Sequence, residues 1–600
     1  MVIDTLLPKL SRWAIVLVCL LQGILIYLFR GEQSDSWLVI HPAVVIYGQT
    51  LSFVLPTILA FSIVRITDSL LWRNLAICSI VALGLATWFH WNMAGLVSYS
   101  QKDRIAGSYY FCLGLILYLA MPWLQTRIKN KQWIGGYSCI YDYFWGNTLT
   151  LIFTLTMMGV FWGILRLGAE LFGLVDIYFF QDLFFRNDFV MHTVNGFIIG
   201  IGILTCRMQI QLTKLARNVL SAIVKGFLPL LSGVALLFII TLPFIGLNTL
   251  SGAWSAAGLL TTVVFLLTLS VSVVYQSGLK EKPYPTPLRM IVNGSLLVLP
   301  AYALLAIYSV WLRIVQYGWT PFRVWGGLIV LMATAAACCY AFAVIRSHKS
   351  WLKPLGAINK SLLLAGLALL ILVNTPLLDP YRISVNGQMA RYTHGVIAAD
   401  DLDLVMLRFD NGRRGEDALR RLQNAPDYHH NSQFKLRLEN VMSKTHRWEA
   451  ANEIHGSPEA VPEVTIQQIQ QNVSLANGTS IPDESWWHAV LRNSQMDIHI
   501  CLREEESCVV ASLDLNTDGD EEYLLCHLPG ILDISCYVFT LIADEWHNIG
   551  YTYFPPSHVT NERFAQALRA GEINVRQKEW GDLDIDGEKV HIYYPSLERQ

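Results

Sequence analysis

Apolar and polar positions along this 600-residue chain fall into two regimes that meet at Lys360–Pro380, KSLLLAGLALLILVNTPLLDP. Ahead of it, apolar residues continue for about 20 positions at a time, the length a helix needs to span a bilayer. Eleven such runs occur: Trp13–Phe29, Ala43–Val64, Asn74–Val97, Gly107–Leu124, Tyr143–Leu167, Val190–Cys206, Val224–Leu247, Ala253–Gln276, Met290–Leu312, Val324–Ile345 and Lys360–Leu378. Strands are excluded because an open sheet edge cannot face lipid. Residues 1–378 therefore predict a membrane all-α bundle, a polytopic transmembrane domain. The first run is followed by Arg30, Gly31 and Glu32 without a small-residue cleavage pattern, so it is kept as a span.

Residues 379–600 lose the long runs and predict a soluble α+β domain with a small antiparallel sheet. Leu402, Val405, Met406 and Phe409 recur at helical spacing until Asn411-Gly412 interrupts, and Arg413–Leu422 resumes the pattern. Asn424–Asn431 reads as a turn, Phe434–Trp448 as a helix, Ser457–Pro462 as a linker and Pro482–Arg492 as a short helix. The period then becomes two. Val509–Asp514 and Tyr523–Leu528 form one expected hairpin; Tyr537–Ile542 and His547–Phe554 form another across Ala543–Trp546. Asn561–Arg569 reads as a helix and Val590–Tyr594 as a last strand.

Composition agrees: 53% of residues are hydrophobic, and mean hydropathy is +0.40. The net charge of −2 conceals a split. Up to Leu378 there are 25 basic and 11 acidic residues, a balance of +14; beyond it there are 19 and 35, a balance of −16. The basic excess lies in short loops between spans, which argues against nucleic acid as a partner and for the lipid bilayer. With the N-terminus in the cytoplasm, inside segments carry 16 Lys and Arg and outside loops seven. An odd number of spans then puts the C-terminal domain outside, in the periplasm if the membrane is a bacterial inner membrane.

Three features of the membrane half bear on chemistry. The semi-apolar loop Arg166–His192 carries Glu170, Asp176, Asp182 and Asp188. An amphipathic segment lying on the outer interface is its ordinary reading; a cation or substrate vestibule is the alternative. Gly196 and Gly200, followed by Gly202, form a small-residue face for close helix packing. Arg313 and Arg323 sit with Trp311, Tyr317 and Trp319 at an outer span end. Spacing alone makes them snorkelling members of an aromatic belt; a phosphate-gripping pair is the functional alternative. Glu170, Asp176, Asp182, Asp188, Arg313 and Arg323 are thus a candidate outer-face polar site.

In the C-terminal half, Cys501, Cys508, Cys526 and Cys536 cluster in the strand region. An even number in an exported domain predicts disulfides. Cys501–Cys508 is the preferred pair and Cys526–Cys536 the second; a four-thiolate zinc site ranks below, as no C-x-x-C occurs. Asp514, Asn516, Asp518, Asp520 and Glu522 alternate around Gly519. Hard oxygens bent around a glycine suit calcium, making Ca2+ the one expected cofactor. Leu525 occupies the twelfth position, so the loop is not an EF-hand. A polar hairpin turn is the competing reading. Phosphate-loop, zinc-protease, nucleophile-elbow and dinucleotide motifs are absent from the sequence.

YSVWLRIVQYGWTPFRVW, starting at Tyr308, resembles the signature of the bacterial membrane-protein family known as domain of unknown function 4153. Arg382–Leu422 is similar to the segment after that family's last span, and the paired cysteines before an Asp-rich turn fit the same pattern. The resemblance implies a polytopic inner-membrane protein with an exported C-terminal domain, and it implies no reaction and no catalytic residues. The expected role is an envelope sensor or scaffold with a calcium-binding periplasmic domain, with other envelope proteins as expected partners beside the bilayer. The alternatives are a transporter or channel, using Asp68, His90, Glu170, Asp176 or His192, and an envelope enzyme acting on a lipid-linked substrate.

Overall fold

The fold comes from a computed structural model, which describes residues 7–30, 41–96, 99–133, 135–175, 177–245, 256–276, 283–347, 351–447, 466–492, 501, 508–516, 519–527, 535–542, 545–553, 561–572, 575, 583–585 and 588–590. Contacts divide the chain into two compact units, Met1–His455 and Gly456–Gln600. That division differs from a boundary at 378/379: the helices after the last span belong with the bundle.

The first unit opens with α1 (Lys9–Leu28), α2 (Pro42–Ser62), α3 (Ser69–Met93), α4 (Tyr99–Asn130) and α5 (Tyr137–Gly173). A short α6 (Phe179–Phe184) precedes α7 (Asp188–Met208), α8 (Ile210–Ile245), α9 (Ala256–Tyr275), α10 (Thr286–Tyr317), α11 (Pro321–Arg346) and α12 (Leu355–Val373). All except α6 are long and apolar enough to cross a membrane, eleven among the described residues. The protein is a multi-pass membrane protein. Leu, Ile and Phe side chains such as Ile80, Phe244 and Phe322 point outward, where lipid is their solvent.

Local chemistry sets the helix starts. Proline occupies the first turn of α2, α10 and α11, where its missing N–H costs nothing. Asp68 and Asn187 accept the orphan N–H groups of Leu70 and Val190 at the starts of α3 and α7. Pro122 lies inside α4 without ending it, and the Thr126 hydroxyl donates to the Pro122 carbonyl at 2.7 Å.

Helices pack through small residues and buried polar pairs. A Cβ on Gly196 would lie 2.3 Å from the Cys19 carbonyl oxygen, and one on Gly23 would lie 2.2 Å from that of His192. The Gly196–Gly200 face therefore seats α7 backbone-close on α1. Asn359 joins α12 to α5 and α9 by donating to Tyr137 (3.0 Å) and Ser272 (3.1 Å), while accepting from Tyr340 of α11 at 2.6 Å.

Five helices form a cap on one end of the bundle: α13 (Pro380–Thr393), α14 (Leu404–Asp410), α15 (Gly412–Leu422), α16 (Pro426–His430) and α17 (Ser432–Ser443). Its core holds Leu404, Leu407, Phe409, Leu419, Phe434 and Leu438. Asn424–Asn431, expected as a turn, contains α16 because Pro426 starts a helical turn there. The helix expected over Phe434–Trp448 spans Ser432–Ser443, its N–H groups at Gln433 and Phe434 capped by Asn431; Trp448 and the linker Ser457–Pro462 lie outside the described residues.

The second unit holds α18 (Ile466–Asn472), β1 (Val473–Leu475), α19 (Glu484–Arg492), β2 (Cys508–Leu513), β3 (Glu522–His527), β4 (Ser535–Ile542), β5 (Glu545–Tyr553), α20 (Asn561–Ala570) and a ribbon of β6 (Leu583–Ile585) with β7 (Glu588–Val590). Strand order is β1-β2-β3-β4-β5. Strands β2 to β5 are antiparallel, but β1 lies parallel to β2, so the sheet is mixed. Glu545 and Trp546, expected in a turn, begin β5 opposite Ile542 and Leu541. The expected strand Val590–Tyr594 meets the described residues only at Val590, the last residue of β7.

Both faces of this sheet are covered, which accounts for the nearly continuous apolar β2. Val510, Tyr523, Leu525 and Phe539 meet Trp486 and Trp487 of α19 on one side. Val509, Ala511, Leu524, Cys526 and Cys536 face Leu568 of α20 on the other. Cys501 and Cys508 stand at disulfide distance, with Cα atoms 5.3 Å apart. Cys526 and Cys536 are direct cross-strand partners on β3 and β4, with Cα atoms 3.9 Å apart.

Candidate functional site

Two regions of the first unit bring polar chemistry together, and they lie at opposite ends of the bundle. One is the junction under the cap. The last carbonyls of α10 have no partner in their own helix, and α13 supplies donors. Arg391 donates to the carbonyls of Val315 (2.9 Å) and Gln316 (3.1 Å), and Gln388 to those of Tyr317 (3.1 Å) and Trp319 (3.0 Å). Gly318, at φ +74°, turns the chain between α10 and α11. A Cβ there would lie 2.7 Å from the Gln388 amide nitrogen. Arg323 also donates to the Gly318 carbonyl at 2.8 Å. Arg313 and Arg323 both stand over the Tyr317 ring.

Beside this, α14 and α15 dock on the ends of α3 and α4 through charge. Arg408 pairs with Glu416 where both side chains are 8% exposed. Gln101 of α4 donates to the Arg408 carbonyl and, at 3.0 Å, to the Glu416 carboxylate. Asp410 receives Arg104 at 2.5 Å and Arg447 at 3.3 Å. Burial nevertheless pushes the Asp410 carboxyl above its ordinary range, with both arginines opposing the shift. Arg414 bonds Asp379 at 2.6 Å and lies over Trp88 and Trp91.

The acids of the semi-apolar loop are held by arginines. Glu170 pairs with Arg166 (2.5 Å), Asp182 with Arg186 (2.8 Å) and Asp188 with Arg30 (3.0 Å); Asp176 lies outside the described residues. They belong to α5, α6 and α7, whereas Arg313 and Arg323 belong to α10 and α11. Among the residues considered for a transport path, Asp68 caps α3 at one end of the bundle. His90 tilts against Tyr47 near the other end of α3, and His192 bonds the Asp188 carbonyl.

At the end remote from the cap, a cavity of about 420 Å³ opens among α2, the α2–α3 turn, α4, α5, α7 and α8. Its rim carries five basic side chains, Arg65, Lys129, Arg207, Lys214 and Arg217, against two acids, Asp68 and Asp142. Asp142 is paired with Arg217 at 2.6 Å. Arg207 is fixed by donating to the Ala60 (2.8 Å) and Ile63 (2.5 Å) carbonyls at the end of α2. The wall continues inward along α5 from Cys139 to Thr150, about 16 Å at helical rise. Phe61, Ile128, Tyr143 and Leu149 make it largely apolar. Gln125 and Asn147 line it too, and satisfy each other through a reciprocal amide pair at 2.9 and 3.1 Å.

In the second unit the Asp-rich turn is shaped by its own hydrogen bonds. The Asp514 carboxylate accepts the Gly519 N–H at 3.1 Å, with Gly519 at φ +96°. Glu522 is 2% exposed. It accepts from the Leu515 N–H (2.7 Å), Thr540 hydroxyl (3.1 Å) and Asn516 amide (3.4 Å). Its carboxylate thus ties the turn to β4. Asp518 lies outside the described residues, as does Thr517. Among the described residues, no group of three or more His, Cys, Asp or Glu is placed to hold a metal ion.

No family model, no curated protein and no solved structure matches the chain.

Proposed function

We propose that this multi-pass membrane protein is an envelope scaffold or sensor of a bacterial inner membrane, with its N-terminus in the cytoplasm and its capped end in the periplasm. The docking of the cap carries this reading. Backbone bonds from Gln388 and Arg391 and the buried Arg408–Glu416–Gln101 cluster join the cap to the two membrane spans α10 and α4. A domain so joined is suited to holding or reporting on something at the membrane surface. The basic-loop count supports the orientation. The disulfide-distance cysteines of the second unit suit an oxidising compartment.

Within this reading, the Asp514–Glu522 loop is a calcium site, with Asp514, Asn516, Asp518 and Asp520 offering oxygens and Glu522 bracing the turn. The test is thermal melting of the full-length, oxidised protein with calcium and with chelator. Ligand that binds only the folded state raises the melting temperature. A rise that disappears in Asp514→Ala and Asp518→Ala supports the calcium site; no rise leaves a hydrogen-bonded turn. Alkaline phosphatase fused after Gln600 tests the orientation, since it is active only outside the cytoplasm; an inactive fusion reverses the proposed topology.

A further inference from the structure

We infer that the cavity at the uncapped end of the bundle binds a phosphate-bearing amphiphile, its anionic head on the basic rim and its apolar part along α5. This goes beyond the scaffold reading and does not rest on it.

Charge is the first reason. Five basic groups and two acids leave an excess of +3 around one opening. Of the two acids, Asp142 is engaged by Arg217 and Asp68 caps α3. Concentrating like charge beside a low-dielectric wall is unfavourable unless an anion completes the site. Basic pockets between membrane helices are suited to lipid head groups, and guanidinium and ammonium groups to phosphate.

Shape is the second reason. Of the wall's about 16 Å of α5, the part beyond Asp142 carries Tyr143, Gly146, Asn147, Leu149 and Thr150 and no charged residue. A small inorganic anion would leave this wall uncovered, whereas an amphiphile matches both parts. Arg207 gives the rim a fixed point, because α2 carbonyls already orient its guanidinium. Lys129 and Lys214 are exposed, and Lys129 stands over the ring of Tyr143 in the wall.

The experiment is native mass spectrometry of the full-length protein in detergent. It is titrated with phosphatidylglycerol or phosphatidylcholine of identical chains, with inorganic phosphate as competitor. Phosphatidylglycerol is expected to bind about tenfold more tightly than phosphatidylcholine. The double variant Lys129→Gln/Lys214→Gln is expected to lose about tenfold in that affinity. Lys129→Arg/Lys214→Arg should retain binding, which separates charge from folding. Arg420→Gln, on the exposed side of the cap, should leave it unchanged. Displacement by millimolar phosphate would identify the head chemistry alone as sufficient and point to a soluble organic phosphate. Resistance to displacement would point to a membrane lipid. Equal affinity for the two lipids, or phosphatidylglycerol binding that survives the Lys→Gln double variant, overturns the proposal.

Discussion

Arg391 donates to the carbonyl oxygen of Val315 from 76 residues further along the chain, closing the end of one membrane helix with the side chain of another helix. With Gln388, it joins α13 to the α10–α11 turn through main-chain acceptors. Backbone carbonyls cannot be changed by side-chain substitution, so specificity at this junction rests on the donors of α13: Gln388, Arg391 and Ser384, whose hydroxyl also donates to the Trp319 carbonyl at 3.3 Å.

Gln388→Leu should therefore loosen the cap without altering the spans. Gln388 is 5% exposed, and its loss removes the shorter of two bonds to each of the Tyr317 and Trp319 carbonyls, leaving Arg323 and Ser384 at 3.3 Å. A cost of about 1–3 kcal/mol is expected. Hydrogen exchange on the full-length protein should show faster exchange over 380–393 with little change in α1 or α7.

The buried pair should respond asymmetrically. Glu416→Leu alone leaves Arg408 charged and enclosed, and should cost about 3–5 kcal/mol. Arg408→Met combined with Glu416→Leu should cost less than the sum of the two single changes. A double-mutant cycle on cap unfolding, read by protease cleavage between 394 and 431, measures the coupling. Strict additivity would mean the pair does not act as a unit.

Asp410 should give the cap a pH dependence of definite sign. Burial raises its carboxyl in the folded state despite Arg104 and Arg447. A raised acid contributes stability that is complete below the unfolded value, about 4, and lost as pH climbs through the folded value. Relative to Asp410→Asn, the natural protein should lose stability as pH rises from about 4. Paired melting curves across that window test it, and a difference constant with pH would refute it.

Reduction should weaken the second unit selectively. Cys501–Cys508 and Cys526–Cys536 are separated by 7 and 10 residues. Closing loops this short contributes about 2–3 kcal/mol each in the chain-entropy picture. Dithiothreitol should lower the melting transition reported by Trp486 and Trp487 while leaving the bundle intact. The seven described free cysteines all lie in the first unit.

The spans were legible because twenty apolar residues in succession have few other fates, and Gly196 and Gly200 proclaim close packing at helical spacing. The strands of the second unit were placed by a period of two, although β2 and β3 are buried on both faces and read as short apolar runs bounded by turn residues. Parallel β1 was not, since three residues, Val473–Leu475, carry too little pattern. The cap junction was hidden for a different reason. Gln388 reaches Trp319 across 69 residues, and side-chain bonds to backbone leave no periodic trace. The cavity draws its rim from Arg65 on the α2–α3 turn through Arg217 on α8. Its one sequence signal was the concentration of basic residues at a single side of the membrane, which served the topology and was not read as a site.

Helix α4 carries Gln101 and Arg104 into the cap and Gln125 and Lys129 into the cavity. Its 32 residues measure about 48 Å, beyond the reach of electrostatic influence in salt solution. Any coupling between the cavity and the cap along α4 would therefore have to be mechanical, carried by the rigid helix, rather than electrostatic. Pro122, three residues before Gln125 of the cavity wall, leaves that helix one backbone donor short at the point where cavity and span meet.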